Sequence, residues 1–174
     1  MKDLMIKICR LILEILGEMD TSGSYDDTPV YLPTVDVPSP SDIVPKKNIL
    51  FNRVEQVVKI SLKNLAIPFT KPPKVWVPDI PGSKSMDPVF DWEHNNILIQ
   101  GADAENQSIM ADFLKVGDIA VYRHPLLYAI HRIVKIEQDD EGRKFTFKGD
   151  NNYTNDPYAV RDEHIEWLSI GTIY

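Results

Sequence analysis

The stretch "PGSKSMDPVF", residues 81–90, carries two serines two positions apart, Ser83 and Ser85. It reads either as a polar turn between strands or as a nucleophile on a tight bend. Pro81 and Gly82 suit such a bend, and Pro88 discourages strand pairing beside it. A serine hydroxyl is too weakly acidic to attack an amide unaided. It needs a base within hydrogen-bond reach, a group that orients that base, and donors for the developing oxyanion. The bases on offer are His94, His124, His131 and His164. None stands in an HExxH pattern, a lone Cys9 cannot complete a cysteine-rich site, and the glycines are dispersed rather than gathered in a phosphate loop. Neither a metal nor a cofactor is therefore expected.

Among the histidines, His131 has the most informative surroundings. In "YAIHRIVKI" the β alternation puts His131, Ile133 and Lys135 on one face and Ile130, Arg132, Val134 and Ile136 on the other. Branched aliphatics around it predict partial burial, and on periodicity alone a structural histidine outweighs a catalytic base. "KGDNNYTNDP" crowds Asp150, Asn151, Asn152, Asn155 and Asp156 behind a strand. Taken alone, such a composition marks turns and caps, because Asn and Asp bond their own backbone.

Taken in order, "GSKSMDPVF", "LKVGDIAVYR", "AIHRIVKI" and "FKGDNN" resemble the sequence boxes of type I signal peptidases, which are serine peptidases. The bacterial enzymes carry a lysine base in the segment that here holds His131. The chain is thus similar to the archaeal and endoplasmic-reticulum branch, which works with Ser-His and aspartates. The resemblance covers residues 75–160 and reverses the balance on His131. It implies Ser85 as nucleophile and Ser83, with the Ser85 N–H, as oxyanion donor. His131 would be the base, Asp156 its orienting carboxylate, and Asp150 a support. It also implies that an extended polypeptide with small residues at the cleavage point lies along "VWVPDI". Trp76, Val77 and Met86 would be substrate-side residues, with Met86 packed inward; as a lone signal Trp76 reads as plain core. The chemistry is consistent: imidazole, with a reference pKa of roughly 6.5, accepts a proton near neutral pH, and a carboxylate behind it fixes its tautomer. Two other readings stay open. One is a self-cleaving relative of LexA-type repressors, with Gly101-Ala102 as the scissile bond. The other is a non-catalytic peptide-binding module on the same fold.

The elements that would position these residues are mainly β. "KVWVPDI", "NNILIQ", "DIAVYR", "AIHRIVKIEQ", "RKFTFKG" and "IEWLSIGTIY" are short, rich in β-branched and aromatic residues, and set apart by Gly, Asp, Asn and Pro. They predict a signal-peptidase/LexA-like β domain over 69–174, with a hairpin turn at Gly142. "DWEHNNILIQGADAENQSIMADF" stands between the serine box and "LKVGD", where the family has a shorter run, and reads as an insertion. Two amphipathic helices and a proline-rich arm precede the domain. Residues 1–19 place Leu4, Ile8, Leu11, Ile12, Ile15 and Met19 on one helical face. Residues 20–47 contain Pro29, Pro33, Pro38, Pro40 and Pro45 and form an extended linker or arm. Over 48–68, Leu50, Val54, Val57, Val58 and Leu65 recur with helical period behind Asn48 as a cap.

Composition sets the outer limits. The chain has 174 residues, 43% of them apolar, which suffices for one real core. A net charge of −7 without a Lys/Arg run argues against a nucleic-acid partner. The single Cys9 fits a reducing compartment. Lys7, Arg10 and Glu14 interrupt the N-terminal apolar run, so neither a membrane span nor a secretory leader is expected. The expected location is cytoplasmic or at a membrane surface. The partners that fit the amphipathic helices are a lipid surface or a second copy of the chain.

Overall fold

The computed structural model describes residues 38–79, 82–90, 94–124 and 127–173. All of them belong to the compact unit Thr34–Tyr174. The helix expected over 1–19 and most of the arm expected over 20–47 lie outside the described residues.

The described chain is mainly β. Eight strands follow in order: β1 (Ile49–Asn52), β2 (Val57–Ile60), β3 (Lys74–Trp76), β4 (Asn95–Gln100), β5 (Ile119–Arg123), β6 (Tyr128–Asp139), β7 (Gly142–Lys148) and β8 (Ile165–Ile173), with one helix, α1 (Ala104–Phe113), between β4 and β5. Strands β3 to β8 form an antiparallel six-stranded sheet in the order β3-β4-β8-β5-β6-β7, whereas β1 and β2 pair only with each other. Gly142 closes the β6–β7 hairpin at φ 111°, a left-handed conformation that favours glycine.

The helix expected over 48–68 is instead the β1–β2 hairpin. Its apolar residues satisfy a helical period, but Val57, Val58 and Ile60 are β-branched, and Asn52 starts a turn. The Asn52 Oδ1 accepts the Val54 and Glu55 N–H groups, and Gln56 takes φ 55°. Asn48 does cap, but it caps the hairpin root. Its Nδ2 donates to the carbonyls of Ser61 and Lys63 at 2.9 and 2.7 Å.

Helix α1 lies in the stretch read as an insertion. Asp103 caps it, accepting the Asn106 N–H at 3.0 Å. Asn106 is fully buried, and its Oδ1 takes the Thr70 N–H at 2.8 Å, which ties the chain before β3 to the helix.

The main core joins Ile99, Met110, Leu114, Ala120, Tyr122, Ile133, Phe145, Phe147, Ile165 and Leu168. Ile43 enters it from the proline-rich segment. Nearby, Ser41 donates twice to the buried Asp118 carboxylate. Residues 38–45 are therefore fastened to the body. A second cluster of Met86, Phe90 and Ile119, with Val89 and Ile130 against it, sits under the serine turn.

Candidate active site

Three segments build the site. The turn after β3 presents Ser83 and Ser85, with Met86 and Phe90 pulled inward as apolar anchors. Lys84 between the serines adopts φ 57°, a left-handed conformation costly for a residue with a Cβ. The loop after β7 holds this turn in place. Asn151 N–H donates to the Ser85 carbonyl at 2.9 Å, and Asn151 Nδ2 donates to the Lys84 carbonyl at 3.0 Å. Gly149 makes the approach feasible: a Cβ there would stand 2.5 Å from the Ser85 carbonyl oxygen. The "GDN" run, which its composition marks only as a turn, thus clamps the serine turn.

His131 lies mid-strand on β6, paired with Ala120 of β5. Its Nε2 is 3.0 Å from Ser85 Oγ, and its Nδ1 is 2.6 Å from Asp156 Oδ2. The His131 and Asp156 side chains are 13% and 9% exposed, so the pair is shielded while the ring edge reaches the surface serine. A carboxylate only accepts, so Nδ1 carries the ring hydrogen, Nε2 is the acceptor, and Ser85 donates to it. Ser83 Oγ lies 2.9 Å from Ser85 Oγ and 3.4 Å from the Ser85 backbone nitrogen. Ser83, Ser85, His131 and Asp156 therefore form one continuous chain of hydrogen bonds.

The other site residues expected from the sequence stand outside this hydrogen-bond chain. Asp150 does not touch the imidazole. It forms a two-pronged ion pair with Arg132, Nε to Oδ1 at 2.8 Å and Nη2 to Oδ2 at 2.6 Å, with both side chains 4% exposed. Arg132 Nη1 also donates to the carbonyls of Gly117 and Pro38. Met86 is buried beneath the serine turn, as expected. Trp76 ends β3, and Val77 follows it on the sheet's outer edge. Trp76 is 50% exposed and leans on Trp167 at 5.5 Å, so the plain-core reading of it does not hold.

Tyr122 is a site residue that the sequence did not reveal. It is buried on β5, and its hydroxyl donates to the same Asp156 Oδ2 at 2.8 Å. Its place in "DIAVYR" offers only a β-aromatic signal, and nothing in the spacing links it to a carboxylate 34 residues on. Burial, and then the Asp156 carboxylate, push its hydroxyl far above the ordinary phenol range. The folded form therefore holds this proton where the unfolded chain loses it. That stabilisation is complete below about pH 10, the unfolded value, and fades as pH rises beyond it. Tyr122→Phe should lower the melting temperature at neutral pH and flatten its decline above about pH 10, readable by thermal denaturation across pH.

Among the described residues no group of three or more His, Cys, Asp or Glu side chains is arranged to hold a metal ion. None of their helices is long and apolar enough to cross a membrane. Two clefts of about 330 and 300 Å³ exist, one lined by Tyr122, His124 and Tyr158 and the other by Lys74, Asp103 and Gln107. Neither includes Ser85 or His131. Comparisons with protein-family models, curated proteins and solved structures return no match.

Proposed function

We propose that the protein is a serine endopeptidase of the signal-peptidase type, cleaving an extended polypeptide through Ser85, His131 and Asp156. The observation that carries this reading is the unbroken Ser85–His131–Asp156 relay, at 3.0 and 2.6 Å. The ordered sequence boxes that resemble signal peptidases support it independently.

The chemistry follows from the geometry. Ser85 Oγ attacks the scissile carbonyl carbon while its proton passes to His131 Nε2, and Asp156 stabilises the imidazolium through Nδ1–H. The Ser85 N–H and the Ser83 hydroxyl, once it turns from Ser85 Oγ, donate to the oxyanion. Collapse breaks the C–N bond, and His131 returns the proton to the leaving amine. Water then attacks the Ser85 ester and gives a proton to His131, which passes it to the departing Ser85 Oγ as the acid is released.

Substrate binding suits the β3 edge. It is an outer strand in which Val75 and Trp76 are half-exposed, as is Val77 just after it, and an extended chain can add to it as a further strand. The LexA-like alternative is disfavoured. Gly101 is buried, its N–H donates to Gln107 Oε1 at 2.9 Å, and its Gly101-Ala102 bond is packed against the start of α1.

The test is an active-site-directed serine reagent followed by intact mass and peptide mapping. One adduct is expected on Ser85, absent in Ser85→Ala and His131→Ala. Folded wild-type protein that takes no adduct from several reagents at neutral to mildly alkaline pH would favour the non-catalytic peptide-binding module.

A further inference from the structure

The β1–β2 hairpin is an anomaly in a small soluble domain. It forms its own two-stranded sheet, and isolated two-stranded hairpins are marginal in water. Its register sets Ile49 opposite Ile60 and Phe51 opposite Val58, so one face consists of these four apolar side chains. All four are exposed, Phe51 at 57%, and Val54 at the tip is 93% exposed. The opposite face is mixed, with Leu50 opposite Lys59 and Asn52 opposite Val57.

Charge is equally uneven. From Lys46 to Lys63 the basic residues are Lys46, Lys47, Arg53, Lys59 and Lys63, and the single acidic one is Glu55, although the whole chain carries −7. The Glu55–Lys59 pair at 3.3 Å is solvent-exposed and leaves the cationic balance intact.

We infer that this hairpin docks the protein on an anionic lipid surface. The Ile49/Phe51/Val58/Ile60 face and Val54 enter the headgroup boundary, and the lysines remain at the phosphate level. An apolar face ending in an exposed apolar tip, on a segment of net positive charge with Lys46, Lys47 and Lys63 flanking its two strands, matches the layered polarity of a bilayer. A two-fold dimer through the same face would instead bring two cationic hairpins together. The inference rests on the hairpin alone and stands or falls independently of the peptidase reading.

The experiment uses the full chain carrying Cys9→Ser and Val54→Cys, with an environment-sensitive fluorophore on the new thiol. Vesicles of phosphatidylcholine with about one third phosphatidylglycerol should shift its emission to the blue. Pure phosphatidylcholine should not, and about 1 M salt, where the Debye length is about 3 Å, should reverse the shift. The same label at Glu141→Cys, in the β6–β7 turn, should stay unchanged. Replacing Lys46, Lys47, Lys59 and Lys63 with Gln should weaken vesicle affinity by roughly several hundredfold, since each cation near an anionic surface contributes roughly fivefold. Phe51→Ser should abolish the shift without altering Ser85 labelling by the serine reagent. Three results would overturn the inference: no binding to anionic vesicles, binding with an unshifted label at position 54, or a blue-shifted label without vesicles. If that last signal grew with protein concentration, the occupant would be a second copy.

Discussion

Ser85→Ala and His131→Ala should each lower cleavage of a peptide with small residues at the scissile bond by a factor on the order of 10⁴–10⁶, and the double variant should be no worse than either alone. The non-additivity is the diagnostic part. Ser85 Oγ and His131 Nε2 share one proton across 3.0 Å, so removing either partner disables the same step. Asp156→Asn keeps the shape but lets the ring adopt the other tautomer, in which Nδ1 accepts and Nε2 no longer takes the serine proton. A loss of about 10⁴ follows, with substrate binding little changed. Steady-state kinetics on the four variants check this, with melting temperatures to show that the serine variants remain folded. Equal activity of wild type and Ser85→Ala would remove the nucleophile from the scheme.

A second large effect is expected at a pair that performs no chemistry. Arg132→Met leaves Asp150 buried without its countercharge, and breaking a buried pair from one side costs about 3–5 kcal/mol. Against total stabilities of about 5–15 kcal/mol this is a drop in melting temperature of many degrees. The Arg132→Met/Asp150→Leu double variant removes both charges and should recover most of that stability. It should not recover full activity, because Asp150 lies between Gly149 and Asn151, which hold the serine turn. Denaturant titration with parallel kinetics separates the two effects.

Much of this arrangement was legible before the structure. The strands of the main sheet lie within the β-rich stretches because Val, Ile, Thr and aromatic residues alternate there between turn residues. Ser85, His131 and Asp156, the residues the ordered boxes single out, lie within hydrogen-bond reach of one another. The hairpin was misread because Leu50, Val54, Val57 and Val58 fit a helical period, and that reasoning assumes apolar residues face a core. Here they face solvent. Helix α1 was missed because Ile109, Met110, Ala111 and Phe113 bunch at its C-terminal end rather than recur with helical period, although Asp103 three positions before Asn106 is a cap signal. The alternation along β6 puts Arg132 on the face away from His131, but no sequence pattern shows that it pairs there with Asp150. Tyr122 was missed for the same reason: a contact between strand and loop leaves no periodic trace.

The strand order has a consequence for when the sheet can close. Strand β8, the last of the eight in the chain, sits in the interior of the sheet, between β4 and β5. Ser85 comes from the half of the chain that builds β3 and β4, while His131 and Asp156 come from the half that builds β5 to β7. Until residues 165–173 are available, no strand bridges β4 and β5, and the long-range pairings that unite the sheet are formed late. A nascent chain therefore carries Ser85, His131 and Asp156 before the strand that joins β4 to β5 has been made.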